Sequence, residues 1–167
     1  MKKFLFTVVA VLLAVQACFA ADAPKAEDKP AIASAARFYT LRLLPGTDVV
    51  EEMRAFIEKN GIEAAAIVSS VGSLSEANIR FADRSEGSLM KGVYEVIFFG
   101  GTLDAQKHHL HLSIADQDGR MWGGHMLNGC ITRTTMEIVV MELTDVVYKR
   151  EKCPVSTYNE LVVYPKE

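Results

Sequence analysis

The residues best suited to chemistry in this 167-residue chain are its four histidines, which all lie in the stretch KHHLHLSIADQDGRMWGGHML. They are His108, His109, His111 and His125. Neutral imidazole nitrogens bind zinc and similar divalent ions, and three of them leave a fourth coordination position open for another ligand. Whether three of these side chains can meet depends on the strand register, because register decides which residues share a face.

The spacing predicts a β-hairpin whose turn lies in Asp116–Gly119. A three-residue loop, Gln117–Gly119, would place the glycine in the left-handed position that ends such loops. It would also set Asp116 opposite Arg120, as a pair of opposite charges. Both features favour the three-residue loop over a two-residue loop.

Counting outward from that loop, His111 lies opposite His125, and His109 lies two residues from His111 on the same face. The three imidazoles then converge on one patch. A two-residue loop would shift the register by one and send His125 to the other face. His108 points away from the pair in either register and is predicted to be a surface or interface residue.

These residues predict a site for a divalent metal ion, zinc before others, with His109, His111 and His125 as ligands. Such a metal could lower the pKa of a bound water. Two alternatives stay open, a histidine acting as a general acid or base without metal and an ordinary structural role. Glu95 and Glu137 lie in otherwise apolar strands, so each could orient an imidazole or pair with an arginine.

The segments around the hairpin predict an α+β fold. Asp48 and Glu51 have the spacing of a helix N-cap box, apolar residues recur at helical intervals after them, and Gly61 suits the C-cap. Apolar runs predict about six or seven strands in a mainly antiparallel sheet, with this one main amphipathic helix packed on it. One run, Ala64–Leu74, is predicted to end in a turn at Gly72-Ser73. In another, Tyr94, Val96 and Phe98 are predicted to share a face.

The first twenty residues have the pattern of a secretory signal peptide. Lys2 and Lys3 precede an apolar run, and Cys18-Phe19-Ala20 offers small residues where a signal peptidase cleaves. Cleavage after Ala20 is favoured over lipidation of Cys18, because Gln16 fits a lipoprotein signal poorly. Residues 1–20 are therefore predicted to be a signal peptide, 21–36 a flexible tether and 37–167 one domain.

The predicted mature chain is exported, to the periplasm or outside the cell, and it contains no apolar segment of transmembrane length. Lys2 and Lys3 are two of the 18 basic residues, so 16 remain against 21 acidic ones, a net charge of about −5. Such a charge disfavours binding to nucleic-acid phosphates. Cys130 and Cys153 remain in the mature chain, and either a disulfide or two separate thiols fits an oxidising compartment.

Three stretches make the chain similar to a known family, the domain conserved between plants and prokaryotes (PPC domain). They are YTLRLLPGTDVVEEMRAFIEKNGIEAAAIVSSVGSLSEANIRF, GVYEVIFFGGTL and HLHLSIADQDGRMWGGHMLNGCITRTTMEIVVMEL, and the resemblance spans about Phe38 to Leu143. It implies a PPC-like fold with an antiparallel sheet and a homotrimeric assembly. The histidines at 109, 111 and 125 resemble the His-x-His and Gly-Gly-His motifs of the prokaryotic branch, which fit a metal site.

The same resemblance suggests nucleic acid as an alternative partner. In plant members the domain follows an AT-hook and the two act as nuclear DNA-binding proteins, and prokaryotic members are often described as DNA-binding by analogy. The plant partner motif Gly-Arg-Phe-Glu-Ile-Leu appears here as Gly92–Ile97 with Val93 in place of arginine, and this sequence contains no AT-hook. The prediction is thus an exported, trimeric metal-binding protein with a small-molecule ligand possible at the metal and catalysis undecided. The alternative is a non-catalytic oligomeric module that binds nucleic acid or protein.

Overall fold

The computed structural model describes residues 31–167. The signal peptide predicted at 1–20 and most of the tether predicted at 21–36 lie outside these residues and stay predictions. Near the start of the described residues, the backbone N–H of Ala35 donates to the Asp145 carboxylate at 2.7 Å. Among residues 31–167, no helix has the length and apolar character to cross a membrane.

Eight strands and one helix make up the described part of the chain. Their bounds are β1 Ala36–Leu43, α1 Val49–Asn60, β2 Ala65–Arg80, β3 Ser88–Leu103, β4 His108–Ala115, β5 Met121–Met126, β6 Ile131–Leu143, β7 Val146–Lys152 and β8 Asn159–Pro165. The first six strands form an antiparallel sheet in the order β1-β6-β2-β3-β4-β5, and β7 pairs with β8 in a second sheet. The predicted α+β class is confirmed, with one strand more than the upper estimate.

Helix α1 begins and ends where its capping residues predict. The Asp48 carboxylate accepts hydrogen bonds from the backbone N–H of Val50 at 2.9 Å and of Glu51 at 3.3 Å. Gly61 closes the helix in the left-handed conformation, with φ of 61°. The apolar stripe of the helix is buried and consists of Val49, Val50, Met53 and Ile57.

The turn predicted at Gly72-Ser73 is wrong, because β2 continues through it as one 16-residue strand. Instead, Gly72 allows the backbones of β2 and β6 to approach each other closely. A Cβ at this position would collide with the carbonyl oxygen of Thr135 and with the backbone of Met136 on β6. Only a residue without a side chain lets β2 and β6 approach this closely.

The predicted face of β3 is also wrong beyond Val96. The pairing of β3 with β4 shifts register between Val96 and Phe98, which is a β-bulge. As a result Phe99 is buried with Tyr94 and Val96, whereas Phe98 points outward and is 52% exposed. A bulge is decided by the partner strand, and the alternation within β3 gives no sign of it.

The two described cysteines are free thiols in different surroundings. Cys130 is buried, its Sγ accepts from the backbone N–H of Asn78 at 3.3 Å, and burial raises its pKa to about 11. Cys153 is half-buried in the connection between β7 and β8. Hydrogen bonds from Ser156 lower the pKa of the Cys153 thiol. Cys130 is therefore a packed core residue.

Replacing Asp48 with alanine tests the helix cap. The Asp48 carboxylate also accepts from the backbone N–H of Gly129 at 2.6 Å, so it joins α1 to the segment before β6. We expect D48A to lose about 2 kcal/mol of unfolding free energy in urea, and D48N to lose less. D118A is the control, since Asp118 forms an exposed ion pair with Arg120 and should lose less than about 0.5 kcal/mol. Equal losses in D48A and D118A would contradict this role.

A thiol reagent tests the two cysteines in the full chain carrying Cys18→Ser. Because the thiolate is the reactive form, we expect Cys153 to be alkylated quickly in the native protein at pH 8. Cys130 should react only after urea unfolds the chain, and mass spectrometry of peptides assigns each adduct. Rapid native labelling of Cys130, or recovery of a Cys130–Cys153 disulfide, would show that the assignment is wrong.

Candidate metal centre

The turn between β4 and β5 has the three-residue loop that the sequence predicts. Asp116 Oδ1 accepts from the backbone N–H groups of Asp118 and Arg120, each at 2.9 Å, and Gly119 takes the left-handed conformation with φ of 77°. Asp116 lies opposite Arg120, as predicted, and its backbone N–H donates to the Arg120 carbonyl oxygen at 3.0 Å, but the predicted side-chain charge pair is wrong. The guanidinium of Arg120 pairs with Asp118 at 3.3 Å instead, since backbone N–H groups occupy the Asp116 carboxylate.

The predicted register is confirmed, with His111 directly opposite His125. Along β4, Leu110 and Leu112 are buried, and they alternate with His109 and His111, which are exposed. This alternation is the two-residue period of a strand with one face in the core. Apolar burial of the leucines therefore orients both imidazoles outward.

The three predicted ligands converge in space. The ring centroids of His109 and His111 are 5.0 Å apart, those of His109 and His125 are 5.0 Å apart, and those of His111 and His125 are 4.7 Å apart. One nitrogen from each ring lies within 4.8 Å of the others. Tetrahedral zinc needs its nitrogen ligands about 3.3 Å apart, so small side-chain rotations would complete the geometry. The donor set fits a divalent ion with one position open.

His125 is the most enclosed of the three imidazoles, and its pKa is lowered. Burial is the largest cause, followed by the positive charge of Arg80 and by His111 and His109. A pKa below the ordinary value of 6.5 keeps His125 neutral near pH 7. Neutral imidazole is the form that binds metal.

His108 faces the other way, as predicted, but it is not a simple surface residue. It is half-buried, and it lines a cavity of about 60 Å³ together with Arg54 and Glu58 of α1. Burial is the largest cause of its lowered pKa. Its place beside α1 makes it structurally distinct from its neighbour His109.

A buried ion pair that the sequence did not reveal supports the start of β4. Asp104 Oδ2 lies 3.3 Å from Nε of Arg150, and both side chains are buried. Asp104 Oδ1 accepts from the backbone N–H groups of Gln106 at 2.9 Å and Lys107 at 2.7 Å. The guanidinium also donates to Thr102 at 2.9 Å. This network holds the β3–β4 connection immediately before the histidines.

The two carboxylates considered as partners of an imidazole lie elsewhere. Glu95 is exposed and is opposite Ala115, which is four residues from His111, or about 13 Å along β4. Glu137 is exposed on β6, opposite Arg42. The structure thus brings neither Glu95 nor Glu137 to the three histidines.

The sequence does not predict one neighbour of the three histidines, which is Arg80. The far end of β2 pairs with β5, which sets Arg80 directly opposite His125. Arg80, His125, His111 and Gly100 then form one transverse row across β2, β5, β4 and β3. The pairing joins residues that are 45 positions apart, so local sequence patterns could not predict it.

Comparison with known sequences supports the family assignment. The model of the Plants and Prokaryotes Conserved domain matches residues 31–144. Two relatives, both named bifunctional protein GlmU and both from Synechococcus strains, are 41% identical over 125 residues and 35% identical over 139 residues. The alignments cover 75% and 83% of this chain but 20% and 22% of the relatives. The chain thus spans about a fifth of the length of the curated relatives it matches.

Solved structures have the same fold. A hypothetical protein from Salmonella enterica is 42% identical, with a TM-score of 0.81 over 81% of this chain and 99% of that one. A metal-containing protein from Archaeoglobus fulgidus is 23% identical, with a TM-score of 0.68 over 80% and 99%. A candidate DNA-binding protein from Bacteroides thetaiotaomicron is 21% identical, with a TM-score of 0.66 over 77% and 96%. By matched domain and by fold, this chain belongs to the Plants and Prokaryotes Conserved domain family.

Proposed function

We propose that this protein binds a divalent metal ion, zinc before others, through His109, His111 and His125. The observation that carries the proposal is the convergence of one nitrogen from each imidazole within 4.8 Å. The hairpin register and the apolar burial of the alternate residues of β4 fix that arrangement. Pre-positioned ligands of the right type bind a metal with little loss of conformational entropy.

The ligand set favours zinc over harder cations. Imidazole suits zinc, copper, iron and nickel, whereas magnesium and calcium prefer oxygen ligands. Three imidazoles leave one position for a further ligand, and zinc in such a site acts as a Lewis acid. The metal-containing protein from Archaeoglobus fulgidus has the same fold as this chain. The proposed function is therefore metal-dependent binding of a small molecule.

Nucleic-acid binding is the second candidate, and the name of the Bacteroides thetaiotaomicron protein is what supports it. Affinity for nucleic acid depends strongly on Lys and Arg side chains that neutralise phosphates. This chain has 18 basic and 21 acidic residues, a net charge of −3. Its charge balance therefore favours the metal site over a phosphate-binding surface.

We also propose that the protein forms a homotrimer through the part of the outward face of β2 and β3 that carries Val71 and Ile97. Two residues beyond the opposed pair Ser73–Glu95, Val71 and Ile97 project from this face. They are 58% and 54% exposed. Exposed apolar side chains that form a contiguous patch mark protein interfaces, and burial of both residues in the assembly would remove them from water.

Elemental analysis of the protein purified without a polyhistidine tag tests the metal site. We expect about one zinc per chain in the wild type, and at least about 100-fold weaker zinc binding in H111A, because one of three ligands is lost. H108A is the matched control: it removes an adjacent histidine that faces α1, so zinc content should stay unchanged. A wild-type protein that remains empty after incubation with zinc, or equal losses in H108A and H111A, would refute the site.

Light scattering tests the trimer. At micromolar concentration we expect a mass near three chains for the wild type and a smaller mass for V71D, because a buried charge without a partner disfavours the interface. L44D is the control, since Leu44 is equally exposed but lies in the turn before α1. A monomer mass for the wild type would rule out the assembly.

A further inference from the structure

The transverse row through the histidines has different chemistry at its two ends. Arg80 lies at one end, next to His125, and Gly100 lies at the other end, next to His111. Directly opposed residues of antiparallel strands share a face of the sheet, with Cβ atoms about 5 Å apart. A ligand held above the imidazoles would therefore lie between the two ends of the row, each of which is one strand away from an imidazole.

The Arg80 end is positively charged. Arg80 is the residue directly opposite His125, so its charge lies beside the imidazoles. The side chain of Arg80 is half-buried, and its Nη1 donates to the carbonyl oxygen of Arg84 at 3.3 Å. That bond uses one of the five N–H donors of the guanidinium. Three neutral imidazoles, a divalent ion and this arginine would together give a positive site that attracts an anion.

The shape of the guanidinium narrows the choice of anion. Its planar fork matches the two oxygens of a carboxylate, and also phosphate, through paired N–H donors. The arginine is close enough to His125 for one anion to contact both the guanidinium and an ion held by the imidazoles. Carboxylates and phosphates remain the two candidates at this end of the row.

The Gly100 end is apolar, and this property favours an organic carboxylate over inorganic phosphate as the ligand. The outward ring of Phe98 lies over Gly100, so that a Cβ built on the glycine would come within 2.5 Å of Phe98 Cζ. The bulge in β3 is what brings this ring to the outer face, where it is 52% exposed. An aromatic ring beside the site favours a ligand with an apolar body. Inorganic phosphate has no group to place there.

We propose that the open position of the centre takes the carboxylate of a small organic acid, with Arg80 binding the carboxylate and Phe98 packing against the apolar body. This proposal rests on the proposed metal function and adds the class of ligand to it. Arg80 selects for negative charge, and Phe98 selects for the body that carries the charge. Arg80 and Phe98 are thus two specificity residues of the binding site that are not metal ligands.

Calorimetry with the zinc-loaded full chain tests the proposal, with benzoate as the probe. Benzamide is the uncharged analogue, acetate lacks the apolar ring, and inorganic phosphate is the competing anion. We expect benzoate to bind at least tenfold more tightly than each of the three. In the cobalt-substituted protein, benzoate should also change the visible absorption spectrum, which reports a new ligand on the metal.

Two variants and a control separate the roles. R80Q should keep its zinc and bind benzoate at least tenfold more weakly. F98A should keep its zinc and weaken benzoate while leaving acetate unchanged. R84Q is the control, because it removes the same charge from an exposed neighbour, and it should bind benzoate as the wild type does.

Several results would overturn the assignment. Benzoate affinity unchanged in R80Q, equal binding of benzamide, or tighter binding of phosphate than of benzoate would each do so. Zinc content is measured for every variant, so that a wrong ligand assignment can be distinguished from a wrong metal site. A wild-type chain without zinc would refute both proposals, whereas a zinc-loaded chain indifferent to benzoate would refute the ligand assignment alone.

Discussion

The register of the β4–β5 hairpin is the constraint on which the candidate site depends. Asp116 sets it by accepting two backbone N–H groups across the loop, while Gly119 supplies the left-handed residue. A slip of one residue would turn His125 toward the opposite face and leave His109 and His111 as an isolated pair. The burial of Leu110, Leu112 and Ile114 makes such a slip costly, since it would expose apolar side chains to water. A turn that contains no ligand therefore decides whether a three-histidine site exists.

Two other carboxylates fix the chain on either side of this hairpin. Asp104, buried against Arg150, orders the connection that leads into β4. Asp48 caps α1 and also holds the backbone of Gly129, just after β5. Removing a partner from either arrangement leaves polar groups without their hydrogen bonds, which is expensive where water is excluded. The imidazoles can thus be exposed and still well placed, because the ordering comes from the buried side of the sheet.

The elements that could be predicted are those whose signals are local. Asp48 and Gly61 mark the ends of α1 within one turn of the helix, and the hairpin loop carries its own glycine and aspartate. The length of β2, the bulge in β3 and the position of Arg80 depend on partner strands that are distant in the chain, so periodicity within one segment could not reveal them. Local composition also points to Glu95 and Glu137, but their strands place them on exposed faces away from the histidines.

At the histidines, strand β5 pairs with β4 over more residues than it pairs with β2. β5 is paired with β4 from His125 to Met121, whereas it meets β2 at Ile79–Met126 and Arg80–His125. The β2–β5 contact is thus the shorter of the two, and an opening confined to its outer pair would move Arg80 away from the imidazoles while leaving them together. A ligand that contacts both Arg80 and the imidazoles would hold β2 and β5 together. Binding of such a molecule would slow amide hydrogen exchange at the ends of β2 and β5, even if the average structure did not change.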